Sequence, residues 1–253
     1  MRSADELSVL ITGGGSGIGA GTAAYLAELG AKVTITGRRE ERLQEVAEAI
    51  GERCAWVAGS IDDATDREAM VAGAAEHGGG VDALVHCAGN IYRSPIEDLD
   101  EAELQGLFQT NVISTMMMTR AALPAIVQSK GAIVFFGSAH VQRAFPSASP
   151  YAATKAAQET LARAFAAELG PKGVRVNCLR PGSILIEINQ RAGIFDDAAA
   201  RQRASSLLSE QALDFEGTTR YAAEAVAYLI RAEWTTGEIL VVDGGLGLGT
   251  IHA

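Results

Sequence analysis

The stretch Leu7-Ser8-Val9-Leu10-Ile11-Thr12-Gly13-Gly14-Gly15-Ser16-Gly17-Ile18-Gly19-Ala20 decides the fold. It opens on an apolar run with β-branched residues, which reads as a strand over 7–12 buried on both faces. Glycines interrupt the run at once, and a helical pattern over 20–29 follows. A glycine turn permits positive φ and lets the backbone approach a ligand closely. The helix behind it offers unpaired N–H groups and a partial positive charge, a setting that suits a pyrophosphate. Gly13, Ser16, Gly17, Ile18 and Gly19 are therefore the expected contacts of a dinucleotide.

Moving outward, short apolar runs at 32–36, 54–58, 83–87, 132–136, 174–179 and 239–242 read as six more strands. Helical periodicity separates them at 41–50, 65–76, 101–127, 152–169 and 219–231. Strands alternating with helices imply right-handed crossovers and a parallel sheet. The expected fold is α/β: one Rossmann-type, doubly wound parallel sheet of about seven strands over residues 1–253, with helices on both faces. No linker or internal repeat divides the chain. The irregular segment 183–217 follows Pro181-Gly182, holds an amphipathic stretch at 196–211, and reads as a substrate lid.

The end of the second strand selects the dinucleotide. An NAD enzyme usually carries an acid there, bonded to the adenosine ribose. This chain instead reads Thr36-Gly37-Arg38-Arg39. Nothing repels a 2′-phosphate, and a guanidinium fork suits one, so NADP(H) is favoured and NAD(H) is possible.

Further along, Ser138 follows the fifth strand, and thirteen residues later comes Tyr151, with Lys155 four beyond it. That i, i+4 spacing puts Tyr151 and Lys155 on one helix face. A free phenol titrates near ~10, too high for efficient proton transfer, and a neighbouring ammonium aided by an oxidised nicotinamide lowers it. Ser138 is placed to hold a substrate oxygen as charge develops.

Composition bounds the function classes. The chain has 253 residues, 48% of them hydrophobic and 21% charged, as in a soluble globular protein. Its net charge of −10 argues against a nucleic-acid or anionic-membrane partner. The three cysteines, Cys54, Cys87 and Cys178, read as buried reduced thiols, and with no signal peptide or membrane span in view the expected location is cytoplasmic. No metal is expected.

Taken together, Thr12-Gly13 with Gly17-Ile18-Gly19, Cys87-Ala88-Gly89, Asn111, Ser138, Tyr151 with Lys155, Pro181-Gly182 and Val242-Asp243-Gly244-Gly245 resemble the short-chain dehydrogenase/reductase family over nearly the whole chain. The resemblance implies an oxidoreductase interconverting a carbonyl and a secondary alcohol, with a non-catalytic dinucleotide sensor or scaffold as the alternative. It implies that Tyr151 is the acid/base, that Lys155 lowers the Tyr151 pKa and binds the nicotinamide ribose, and that Ser138 orients the substrate. It implies that Asn111 helps hold a water linking Lys155 to solvent. Ala88, Gly89, Pro181, Gly182 and Ser183 join the cofactor contacts, with Pro181 and Gly182 beside the nicotinamide. Val242 to Gly245 would lie near the subunit contacts of a homotetramer, a homodimer being the other option.

Several positions depart from the family's habit. His86 stands where an Asn is common and is expected to bond backbone. Ser60 replaces an acid that meets the adenine, leaving Ile61 to pack on the ring, and Ile186 replaces a Thr. His140, with Ser138 and Tyr151, is the expected substrate contact, although the sequence leaves His140 equally free to face solvent. Gln142, Arg143, Phe145, Asn90, Tyr92, Ile188, Phe195, Leu207 and Leu208 are the remaining pocket candidates, and the mixture names no substrate.

Overall fold

In β1 (Ser8–Thr12) and β5 (Ala132–Phe136) every residue is buried, so both faces of the sheet need cover. The computed structural model describes residues 1–184, 206 and 208–249. With these strands stand β2 (Lys32–Gly37), β3 (Cys54–Ala58), β4 (Ala83–His86), β6 (Arg175–Pro181) and β7 (Ile239–Val242). All pairs are parallel, in the order β3-β2-β1-β4-β5-β6-β7. The crossovers carry α1 (Gly17–Glu28), α2 (Glu40–Ile50), α3 (Ala64–Gly78), α4 (Glu101–Phe108), α5 (Thr115–Ser129), the short α6 (Ala139–Gln142), α7 (Ser149–Leu169) and α8 (Thr219–Arg231).

Side chains alternate between two cores, as strand geometry requires. Val9 and Ile11 of β1, with Val134 and Phe136 of β5, meet Leu26 of α1 and Val226 and Leu229 of α8. Leu10, Ile133 and Phe135 point the other way, to Met70 of α3 and Met118 and Ile126 of α5. Each fully buried side chain of this size contributes about 1.5–3 kcal/mol.

The order of the strands makes the site. From β1 the chain goes outward to β2 and β3, then returns to β4 on the other side of β1. Helices leaving β1 and β4 therefore diverge, and a crevice opens beyond the C-terminal ends of these strands. The helix expected over 101–127 is not continuous. A π-helical turn, Gln109–Ser114, separates α4 from α5 and carries Asn111. The strands differ from expectation only at their ends, most in β6, where Pro181 pairs with Val242 and extends the strand. Cys54 and Cys87 are half-buried, Cys178 is buried, and all three thiols are free. No helix among the described residues is long and apolar enough to cross a membrane.

Candidate functional site

The crevice begins with the turn between β1 and α1. Gly13 has φ +69°, and a Cβ on it would sit 2.7 Å from the Ala88 nitrogen. Only glycine allows both the conformation and the approach. A Cβ at Gly19 would collide with the Gly13 carbonyl, so the first turn of α1 lies directly against the loop. Ser16 stands at the N-cap in extended conformation, and its side chain does not cap the helix. Thr12 Oγ1 accepts from the Ala88 N–H at 3.2 Å, tying the ends of β1 and β4 together.

Gly13, Thr36, Gly37, Arg38, Ser60, Ile61, Ala88 and Gly89 line one open cleft. Asp62, Asn90 and Thr110 join them; Asp62 accepts from Thr110 Oγ1 at 3.2 Å. Arg38 and Arg39 are exposed, and Arg39 Nη2 donates to Ser16 Oγ at 3.1 Å, reaching back across the glycine turn. Ile61 is buried within the α3 core while lining the cleft, and the Ser60 N–H donates to Asp66 at 2.8 Å. A glycine cradle with no room for a Cβ, an open helix N-terminus and a guanidinium at the rim fit an adenine dinucleotide. Gly182 and Ser183 lie at the end of β6 and line a second, largely apolar pocket with Val242 and Asp243. Pro181 stands just before them.

Ser138 leaves β5 and opens α6, its Oγ accepting from the His140 N–H at 3.3 Å. Pro150 starts α7, setting Tyr151 and Lys155 one turn apart. Burial pushes the Tyr151 phenol up to about 12, against the opposing pulls of a hydrogen bond with Ser138 and of the Arg93 guanidinium. Burial lowers Lys155 to about 8, with Cys178, Cys87 and Glu159 acting the other way. The ammonium donates to the Phe136 carbonyl at 2.9 Å and to Gln158 Oε1 at 3.4 Å, and it stands 5.7 Å from the Tyr151 ring centroid. Desolvation therefore decides the phenol's state and keeps it protonated near neutrality.

Asn111 is fully buried and acts as a clamp. Its Oδ1 accepts from the Asn90 N–H at 2.8 Å, and its Nδ2 donates to the Asn90 carbonyl at 2.9 Å and to Thr154 Oγ1 at 3.1 Å. The loop after β4 is thereby fastened to α7, between Tyr151 and Lys155. The π-turn leaves the Asn111 carbonyl available, and Gln158 Nε2 donates to it at 2.6 Å. Gln158 thus joins Lys155 to the Asn111 carbonyl.

Other pocket candidates separate. His140 is half-buried: its Nδ1 lies 3.0 Å from Ser138 Oγ and its Nε2 2.6 Å from Arg93 Nη2. Gln142 turns away, bonding the Gly247 carbonyl at 3.2 Å and Arg180 at 2.9 Å. Arg143 pairs with Glu210 at 2.7 Å and covers the Phe145 ring. The Tyr92 hydroxyl accepts from the Asp100 N–H at 2.9 Å. Leu208 is half-buried, whereas Ile186, Ile188, Phe195, Leu207 and most of 196–211 lie outside the described residues. His86 corrects its expectation: it bonds the Thr119 hydroxyl at 2.9 Å rather than backbone, and burial drives its pKa down to about 3. Thr119 faces it from α5, a partner that only the packed structure brings near. Arg93, Asn90, Thr154 and Gln158 complete the site; of these, only Asn90 had a signal in the sequence, its place just after Gly89.

A family model described as enoyl-(acyl carrier protein) reductase matches residues 13–247. The chain is 34% identical over 248 residues to a protein named glucose 1-dehydrogenase from Gluconobacter oxydans, covering 95% of this chain and 91% of that one. It is 33% identical over 257 residues to a protein named (-)-isopiperitenol/(-)-carveol dehydrogenase, mitochondrial, from Mentha piperita, covering 97% and 96%. A solved 3-ketoacyl-(acyl-carrier-protein) reductase from Brucella melitensis, complexed with NADH, superposes with TM-score 0.86 at 29% identity, covering 97% of this chain and all of that one.

Proposed function

Since the chain belongs to the short-chain dehydrogenase/reductase family of oxidoreductases, we propose that it uses NADP(H) to interconvert a carbonyl and a secondary alcohol, with Tyr151 as acid/base. The observation that carries this reading is the gathering of Ser138, Tyr151 and Lys155 beside a dinucleotide crevice, fastened to it through Asn111 and Asn90.

When bound, a nicotinamide would supply or accept the hydride. Tyr151, held protonated by burial, gives its proton to the carbonyl oxygen during reduction. Ser138 donates a hydrogen bond to the same oxygen and stabilises charge as it forms. The Lys155 ammonium stabilises the phenolate that remains, and it would also hold the nicotinamide ribose. Gly13 to Gly19 would hold the pyrophosphate, and Ala88, Gly89, Ser60 and Ile61 the adenosine. Pro181, Gly182 and Ser183 would hold the nicotinamide. Arg38, supported by Arg39, takes the 2′-phosphate, because no carboxylate ends β2 to repel it. On the same reading residues 1–253 form one domain with a lid at 183–217. The protein works in the cytoplasm as a homotetramer or homodimer; exposed Val241 on the edge strand β7 and exposed Leu248 just beyond it suit such a contact.

NADPH and NADH fluorescence assays across ketones, steroids, sugars and acyl thioester ketones test the assignment. The sugar and thioester arms follow from the Gluconobacter and Brucella relatives. Turnover with NADPH at least tenfold better than with NADH is expected, and Arg38→Asp should reverse that order. Equal losses for both cofactors in Arg38→Asp would refute the phosphate role.

A further inference from the structure

The Arg93 guanidinium donates to His140 Nε2 at 2.6 Å. Arginine has no acceptor and keeps its protons, so Nε2 must present a lone pair, and the neutral ring then carries its hydrogen on Nδ1. Nδ1 lies 3.0 Å from Ser138 Oγ, and the His140 backbone N–H reaches the same oxygen at 3.3 Å. A serine hydroxyl has two lone pairs and one hydrogen. With both lone pairs engaged by His140, the hydrogen is all that Ser138 has left to offer, and the Tyr151 phenol is a side chain it acts on. The imidazole is held for this task on both sides. Phe145 lies at 4.5 Å between centroids, and Tyr151 meets the ring edge-on at 5.4 Å.

We propose that Arg93 and His140 are positioning residues: Arg93 fixes the His140 tautomer, and His140 makes Ser138 an obligate hydrogen-bond donor, toward Tyr151 in the free enzyme and toward the substrate oxygen once substrate is bound. A freely rotating Ser138 would accept the Tyr151 proton as a hydrogen bond for part of the time and draw the phenol away from the carbonyl. A Ser138 with no lone pair to spare leaves that proton for the substrate. The proposal rests on the reading of Tyr151 as acid/base.

The test combines a tautomer measurement with turnover. Nitrogen NMR of histidine-labelled enzyme with NADPH, His140 being assigned by its loss in His140→Phe, reads which ring nitrogen is protonated. Turnover is followed with isatin, a compact aromatic dicarbonyl, as the probe. The expected wild-type ring is protonated on Nδ1. Arg93→Met should move that proton toward Nε2 and lower kcat about 10- to 100-fold while KM changes far less. Arg93→Lys, which still donates to Nε2, should recover most of the loss. A wild-type ring protonated on Nε2, an Arg93→Met variant with unchanged tautomer or kcat, or a loss confined to KM would overturn the proposal. Should the wild-type enzyme not reduce isatin, the two tautomer spectra decide alone. Full turnover in Tyr151→Phe would instead refute the acid/base reading and leave the tautomer result standing.

Discussion

Replacing Asn111 by alanine removes three hydrogen bonds from a side chain that is 0% exposed: those to the Asn90 N–H, the Asn90 carbonyl and Thr154 Oγ1. A typical bond contributes about 1 kcal/mol net, and a buried group left unpaired costs about 1–3 kcal/mol. Thr154 keeps its own bond to the Tyr151 carbonyl at 2.8 Å, and Asn90 is half-buried, so water reaches part of what is lost. The net destabilisation should be about 3 kcal/mol, or a thermal midpoint roughly 6–12 °C lower for a chain of this size. Calorimetry on the purified variant measures it, and a titration with NADPH adds a second readout. Asn90 lines the dinucleotide cleft, so releasing it should also weaken NADPH binding. A midpoint within about 2 °C of wild type, with unchanged NADPH affinity, would refute the clamp.

Three further outcomes are expected. Lys155 is lowered from 10.5 to about 8 in the fold, so between those values the unfolded chain binds more protons and stability rises with pH across that window. The gain is at most about 3 kcal/mol. Denaturation at several pH values should show this slope in wild type and lose it in Lys155→Met, while the rate of carbonyl reduction falls above about pH 8 as the ammonium is lost. Gly13→Ala forces φ +69° on a residue with a Cβ placed 2.7 Å from the Ala88 nitrogen, so fluorescence titration should find NADPH affinity reduced by about tenfold or more. Glu159→Gln leaves Arg180 without the carboxylate it bonds at 2.6 and 2.8 Å, which should cost about 2 kcal/mol in urea denaturation; a change under about 0.5 kcal/mol would show the pair to be dispensable.

The sheet was legible because its strands are short, apolar and bounded by sharp breaks in pattern. The runs at 54–58, 132–136 and 239–242 match β3, β5 and β7 residue for residue. The π-turn at Gln109–Ser114 was not, because its apolar spacing still resembles an α-helix and the bonds that Asn111 makes to Asn90 and Gln158 join residues far apart in sequence. Motif spacing singled out Ser138, Tyr151 and Lys155 as candidates, but it could not reveal how deeply the Tyr151 phenol is buried. Arg93 had no periodic signal, since it lies in an irregular loop, and it matters only because folding brings it 2.6 Å from His140, which is 47 positions away.

The central claim is tested most directly by Tyr151→Phe, assayed for both NADPH binding and carbonyl reduction. The phenylalanine ring keeps the packing against His140 and removes only the hydroxyl proposed to supply the proton. NADPH affinity close to wild type, with reduction slowed by at least about 100-fold, is the result predicted. Reduction at the wild-type rate with NADPH bound would contradict it.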